Sequence, residues 1–209
     1  MSGKSAERTD MKKIIVFSLT LLLCFSLFIS CSSGMTEEEL KNTVGDLLEK
    51  SVTVNEIYFG TGLPHAPATG IADNAQDYDE PPAEYCDVVS VNYKSVDDLK
   101  AAALEVYTES YCDSIFEMTF LGMQNDDGTI FRYARFIDSF EGTLQIRADA
   151  ADDAITLGRE YDLSTLKILR EGSDYVYFTL DSSLNGKNET VQLCIKKGDS
   201  GWRFDTPTY

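Results

Sequence analysis

The chain has 209 residues, with 18 Lys+Arg against 35 Asp+Glu and a formal net charge of −17 at pH 7. Nucleic acid is excluded as a natural partner, because phosphate binding needs clustered cations that displace counterions, and this surface would repel the backbone. At 43% hydrophobic and 25% charged residues the composition is globular rather than disordered, and the length suits one domain.

Lys12 and Lys13 precede an apolar run from Ile14 to Ile29 that only Ser18, Thr20 and Ser26 interrupt. A basic segment followed by an apolar one has the form of a secretory signal, with Met11 as its natural start. The run ends Leu27-Phe28-Ile29-Ser30-Cys31-Ser32-Ser33. This resembles the bacterial lipoprotein signal, in which a small residue precedes a cysteine that becomes the lipidated N-terminus. The resemblance implies a signal peptide over 1–30, cleavage before Cys31, acylation of Cys31 by palmitate-type chains, and a polar tether over 31–35. The chain is then held on the extracytoplasmic face of the cell membrane, as in Gram-positive bacteria. A plain signal peptide and an uncleaved short anchor are the alternatives, and neither calls for a cysteine at that junction.

Cleavage changes the charge arithmetic. The discarded part carries Lys4, Arg8, Lys12 and Lys13 against Glu7 and Asp10, so the mature part keeps 14 basic and 33 acidic residues, a net of −19. Such a surface favours solubility and steers basic partners. With Cys31 used by lipid, Cys86, Cys112 and Cys194 remain. An odd number cannot all pair; export permits one bridge, Cys86 with Cys112, and the alternative is three small buried thiols. No metal is expected from this set, since no Cys/His spacing suits zinc and the chain holds one histidine. No cofactor motif is present.

Residues 36–209 read as one α+β domain. Thr36-Glu37-Glu38-Glu39 is a capping box, and Leu40, Val44, Leu47 and Leu48 follow as one apolar stripe of a helix reaching Ser51 or Tyr58. Residues 60–84 then form a long irregular loop rich in Gly and Pro. Cys86 to Tyr93 has strand composition. Ser95-Val96-Asp97-Asp98 caps a second helix, with Leu99, Ala103, Val106 and Tyr107 on one face, that ends near Cys112.

From Thr129 the period becomes two. Phe131, Tyr133, Arg135 and Ile137 alternate with Arg132, Ala134, Phe136 and Asp138 as one strand, joined by the turn Asp138–Gly142 to a strand from Thr143 to Ala148. Asp162 to Arg170 pairs with Asp174 to Asp181 about Glu171-Gly172-Ser173. Asn185-Gly186 is the signature of a type I′ hairpin, and Gly198-Asp199-Ser200-Gly201 turns the chain into Trp202 and Phe204. The expected architecture is two N-terminal helices followed by a curled, mostly antiparallel sheet of about six strands wrapping on a helix, like a cone or hot-dog fold.

Several motifs carry chemistry elsewhere and not here. Gly198-Asp199-Ser200-Gly201 copies the nucleophile segment of chymotrypsin-like proteases, but it sits where a turn between strands is required. Asp73 to Glu84 offers Asp73, Asp77, Asp79 and Glu84 at EF-hand positions, yet Tyr78 stands where the loop needs Gly and Pro81-Pro82 bars the exit helix, which leaves a solvated acidic loop, with a loose extracellular Ca²⁺ site as the alternative. Asp126-Asp127-Gly128 and Asp149, Asp152 and Asp153 read as turn and helix-start residues. His65 lies in a Pro-bounded loop without a nucleophile nearby. No catalytic residue is assigned. Tyr107, Tyr111, Tyr133, Tyr175 and Tyr177, with Tyr161 and Tyr209, either line a ligand pocket under the sheet or pack across strands.

Tyr93-Lys94-Ser95-Val96-Asp97-Asp98-Leu99, Val106-Tyr107-Thr108, the run Gly142 to Asp149 and the ending Gly201 to Tyr209 resemble small secreted or lipid-anchored domains of Gram-positive bacteria. The plan is similar to the IseA-like inhibitors of cell-wall DL-endopeptidases and to the nuclear transport factor 2-like cone. The first resemblance implies a non-catalytic module that binds a basic cell-wall protein such as a peptidoglycan hydrolase. The second leaves room for a small-ligand carrier or weak enzyme with a Tyr-lined cavity.

Overall fold

A computed structural model describes residues 34–67 and 84–209. The apolar run, Cys31 and the acidic loop from Asp73 lie outside the described residues. Residues Thr36–Tyr209 form one compact unit.

The first helix, α1 (Glu37–Phe59), begins as its capping box dictates. The Thr36 hydroxyl accepts from Glu39 N–H while the Glu39 carboxylate accepts from Thr36 N–H. Its stripe of Leu40, Val44, Leu47, Val54 and Ile57 is buried. Each such side chain contributes about 1.5–3 kcal/mol by leaving water.

The expected second helix is two. Val96–Leu104 forms α2, capped by Ser95, and Glu109–Phe116 forms α3, capped by Thr108. The break between them has a physical cause. Val106 O accepts from Phe204 N–H at 2.8 Å and Thr108 N–H donates to Phe204 O at 2.9 Å, a short parallel bridge to the last strand. That bridge turns the Tyr107 ring into the core, where it is 1% exposed. A π turn, Glu117–Leu121, extends α3.

Nine short and long strands form three antiparallel sheets among the described residues, in place of one sheet of six. β1 (Tyr85–Asp87), β5 (Leu144–Arg147) and β4 (Phe136–Asp138) make one, in that order. β2 (Met123–Gln124) and β3 (Ile130–Arg132) make a small ribbon whose turn is Asp126-Asp127-Gly128, with Asp127 accepting from Thr129 N–H. β6 (Glu160–Glu171), β7 (Tyr175–Leu184), β8 (Lys187–Gly198) and β9 (Gly201–Phe204) make the largest. Its hairpins sit where the turn residues place them. Asn185 and Gly186 have φ of 53° and 74°, and Gly198 pairs directly with Gly201. The Gly-Asp-Ser-Gly segment is therefore a turn.

The predicted strand across Phe131 to Ile137 is also broken. The chain leaves the ribbon after Arg132 and joins the other sheet at Phe136, and between them Arg135 turns inward to 7% exposure. Its guanidinium donates to Ile57 O, Gly60 O and Ala150 O at 3.1, 2.5 and 2.8 Å. The last turn of α1 carries no basic residue, so Arg135 supplies from another element the cation that a helix C-terminus favours. Arg147 binds Asp149 and Asp153, and Arg132 reaches Asp153 at 2.8 Å. Asp149 and Asp153 are thus ion-pair partners as well as flanking a 3₁₀ turn, Ala150–Asp153. Burial works against the Asp153 carboxylate, but Arg132 and Arg147 outweigh it and hold its pKa below the usual range.

Cys86 and Cys112 do not pair. Both, with Cys194, are buried free thiols, and burial pushes the Cys112 thiol up to about 12, far from thiolate reactivity.

Candidate functional site

The inner face of the large sheet presents Val176, Phe178, Leu180, Leu193, Ile195 and Phe204, all buried, and α1 packs on it. At one side the packing opens. β6 advances from Asp162 to Lys167 while β7 advances only from Asp181 to Thr179. The surplus residues bulge, pinned by Asp162 accepting from Ser164 N–H and Oγ–H and by Thr165 Oγ donating to Asp162 O. Leu163 is carried toward α1, where a Cβ on Gly45 would meet its Cδ1 at 3.2 Å. Beyond that contact lies a cleft of about 600 Å³ between α1, Leu157–Leu163 and the C-terminal Thr208-Tyr209. That volume is in the range of small-ligand sites.

The apolar walls are Leu48, Val52, Leu157, Leu163, Tyr161 and Tyr209, and the floor is polar: Ser51, Asn55 and Thr208 are 3%, 5% and 4% exposed. The floor is a closed ring of hydrogen bonds. Tyr107 Oη–H donates to Asn55 Oδ1 at 2.6 Å, and Asn55 Nδ2 donates to Thr208 Oγ1 at 3.0 Å. The 2.6 Å contact between Thr208 Oγ1 and Tyr107 Oη then has Thr208 as donor, because each hydroxyl holds one proton. Tyr161 Oη donates to Thr208 O at 2.9 Å, and Tyr111 and Tyr209 meet through their hydroxyls at 3.2 Å. Burial pushes the Tyr107 and Tyr111 phenols well above their ordinary pKa and Tyr161 to about 12. Burial thus favours the protonated phenol at Tyr107, Tyr111 and Tyr161. Glu49 and Glu56 add carboxylates to the lining, while Arg159 is engaged by Glu189 at 2.5 Å and by Ser182 at 2.9 Å.

Phenylalanine at 107 leaves Asn55 Oδ1 without its donor and Thr208 Oγ–H without its acceptor. Tyr107→Phe is expected to cost about 2 kcal/mol, read as a lower urea midpoint with an unchanged m-value.

The tyrosines singled out from sequence occupy three places. Tyr107 and Tyr111 come together with Tyr161 and Tyr209 at the cleft and beneath it. Tyr175 and Tyr177 stand on the opposite face of the sheet from Phe178, with Arg170 over their rings at 5.4 and 4.6 Å. Tyr133 lines a separate cleft of about 170 Å³ with Tyr58, Arg132, Arg135 and Asp153. His65 is exposed and bridges to Val88. Ser51, Asn55, Leu163 and Thr208 carry no sequence signal, since each is an ordinary helix, strand or terminal residue until the bulge and the Tyr107 turn assemble them. Among the described residues no group of three or more His, Cys, Asp or Glu side chains is placed to hold a metal ion, and no helix is long and apolar enough to cross a membrane. The chain matches no protein-family model and no curated protein sequence.

Proposed function

We propose that this protein is a lipid-anchored module of the cell envelope that binds a basic cell-wall protein, such as a peptidoglycan hydrolase, without catalysing a reaction. The observation that carries it is the imbalance of 33 acidic against 14 basic residues after Cys31. The four-stranded sheet packed on α1 gives the α+β plan that this reading assumes. Charge of this size acts mainly on encounter. The association rate of residues 36–209 with a cationic hydrolase is expected to fall at least tenfold as salt rises from about 0.01 M to about 1 M, over which the Debye length shrinks from ~30 to ~3 Å. A rate indifferent to salt, or no binding, contradicts the proposal.

A second reading, a small-ligand carrier, is favoured by one observation: the cleft of about 600 Å³ with a buried polar floor.

A further inference from the structure

The acidity of the domain is not spread evenly. At one end of the large sheet β6 finishes, β7 begins, β8 finishes and β9 begins, as the pairs Arg170–Tyr177, Tyr175–Lys196 and Lys196–Arg203 show. This end collects Lys167, Arg170, Lys196, Lys197 and Arg203, five of the mature chain's 14 cations. Arg170 lies over Tyr175 and Tyr177, and Lys197 lies 6.0 Å from the ring of Trp202. On the free edge of β6 beside Arg170, and two strands across from the β8–β9 pair of Lys197 and Trp202, Ile168 and Leu169 are 37% and 55% exposed. Exposed aliphatic residues, half-buried rings and long cationic side chains together are the composition of a surface that sits at a lipid–water boundary.

The start of α1 points to the same end. Gly45 faces Leu163, and ten residues later Asn55 is joined through Thr208 to Tyr161. Helix α1 therefore runs against β6, and its first residue lies toward Lys167. Nine residues of helix from Gly45 back to Thr36 span about 13 Å, whereas the bulge leaves Asp162 to Lys167 only about 7 Å along the sheet, the rise of the two β7 residues opposite it, so the start of α1 lies past Lys167 toward the end of β6. Between Cys31 and Thr36 the chain reaches at most about 18 Å. A lipid on Cys31 would tether the domain through the start of α1, within that reach of this end. Counting the helix start, Lys41 joins the five cations, and the carboxylates there are Glu37, Glu38, Glu39, Glu171, Asp174, Asp199 and Asp205, which Lys196 meets at 2.6 Å. Six against seven leaves this end close to balance, at −1, while the remaining −18 of the net −19 belongs to other segments.

We propose that the Lys167–Glu171 end of the large sheet is a membrane-seating face that rests on anionic lipid headgroups, with Ile168, Leu169 and Trp202 at the boundary and Lys167, Arg170 and Lys197 on the phosphates. It takes the acylation of Cys31 from the proposed function. The seating turns the acidic remainder outward, so that a basic partner meets it on the side away from the membrane.

Trp202 is the chain's single tryptophan and reports the contact directly. The acylated chain is placed in phosphatidylglycerol-containing vesicles with or without brominated acyl chains. The same mature chain is also captured at its N-terminus by a hexahistidine tag on a nickel-chelating lipid, which reads the seating independently of acylation. In both, Trp202 emission is expected to shift to the blue and to fall at least twofold on brominated lipid. Lys167→Glu/Arg170→Glu/Lys197→Glu is expected to abolish that quenching while circular dichroism stays unchanged, and Ile168→Asp/Leu169→Asp to reduce it. Equal emission on brominated and plain vesicles overturns the proposal, as does quenching that survives the charge reversal or is as strong on phosphatidylcholine alone. The mass of the N-terminal peptide tests the anchor separately: an unacylated Cys31 with quenching in the captured chain removes the anchor and keeps the face.

Discussion

Arg135→Ala is expected to destabilise the domain by about 3–5 kcal/mol. Three carbonyls, Ile57 O, Gly60 O and Ala150 O, converge on one buried guanidinium, and its removal takes that donor from all three, the end of α1 included. A hydrogen bond to a charged group contributes about 1.5–3 kcal/mol, more than the ordinary 0.5–1.5 kcal/mol, and three that share one guanidinium account for this range. For a domain of this size the shift in Tm is about 2–4 °C for each kcal/mol, so a fall of roughly 10 °C by calorimetry is the expected result. Arg135→Lys is expected to recover less than half, because one ammonium on a flexible stem cannot address three acceptors that a planar fork spans. A change within about 0.5 kcal/mol for Arg135→Ala, the range of an ordinary surface substitution, would show that the guanidinium is not what closes the end of α1.

The second large effect is expected at Gly122. It ends the π turn with φ of 79°, in the left-handed region. A Cβ there would stand 2.4 Å from Arg132 O, 2.9 Å from Ala134 N and 3.0 Å from Tyr133 C. These neighbours are backbone and cannot swing aside. Arg135 N–H donates to Thr119 O at 2.7 Å across the same approach, so any retreat of the chain also displaces the segment that carries Arg135. Left-handed strain alone costs about 1–3 kcal/mol at a non-glycine residue, and with the clash Gly122→Ala is expected to lose about 3 kcal/mol or more in urea unfolding. Gly128→Ala serves as the control. It has a similar φ of 86° but nothing within 4 Å of its Cβ, and it is expected to show the strain without the clash.

These positions show which parts of the fold can be read from residues alone. The capping boxes at Thr36 and Ser95, the Asn185-Gly186 hairpin and the Gly198–Gly201 turn are local devices, satisfied by atoms three or four residues away, and all are legible. Arg135 alternates correctly for a strand face, yet its three acceptors lie in three different segments, and no periodicity reveals them. Val106 and Tyr107 continue a helical stripe, and only the bridge to Phe204, nearly a hundred residues on, removes them from the helix. The cleft fails to show for the same reason. It exists because β6 bulges between Asp162 and Lys167 and because Asn55, Tyr107 and Thr208 close a ring across the whole domain. Charge is legible as a total, but its near-balance at the Lys167–Glu171 end depends on which strands finish together.

Anchorage at Cys31 is the claim on which the envelope location, the −19 of the displayed domain and the outward-facing acidity all depend. Metabolic labelling with a fatty-acid precursor, compared between the wild-type chain and Cys31→Ala, tests it most directly. The account predicts label on the wild-type protein, none on Cys31→Ala, and movement of the variant from the membrane to the soluble or precursor fraction. Equal labelling of both proteins, or an unlabelled wild type, would contradict it.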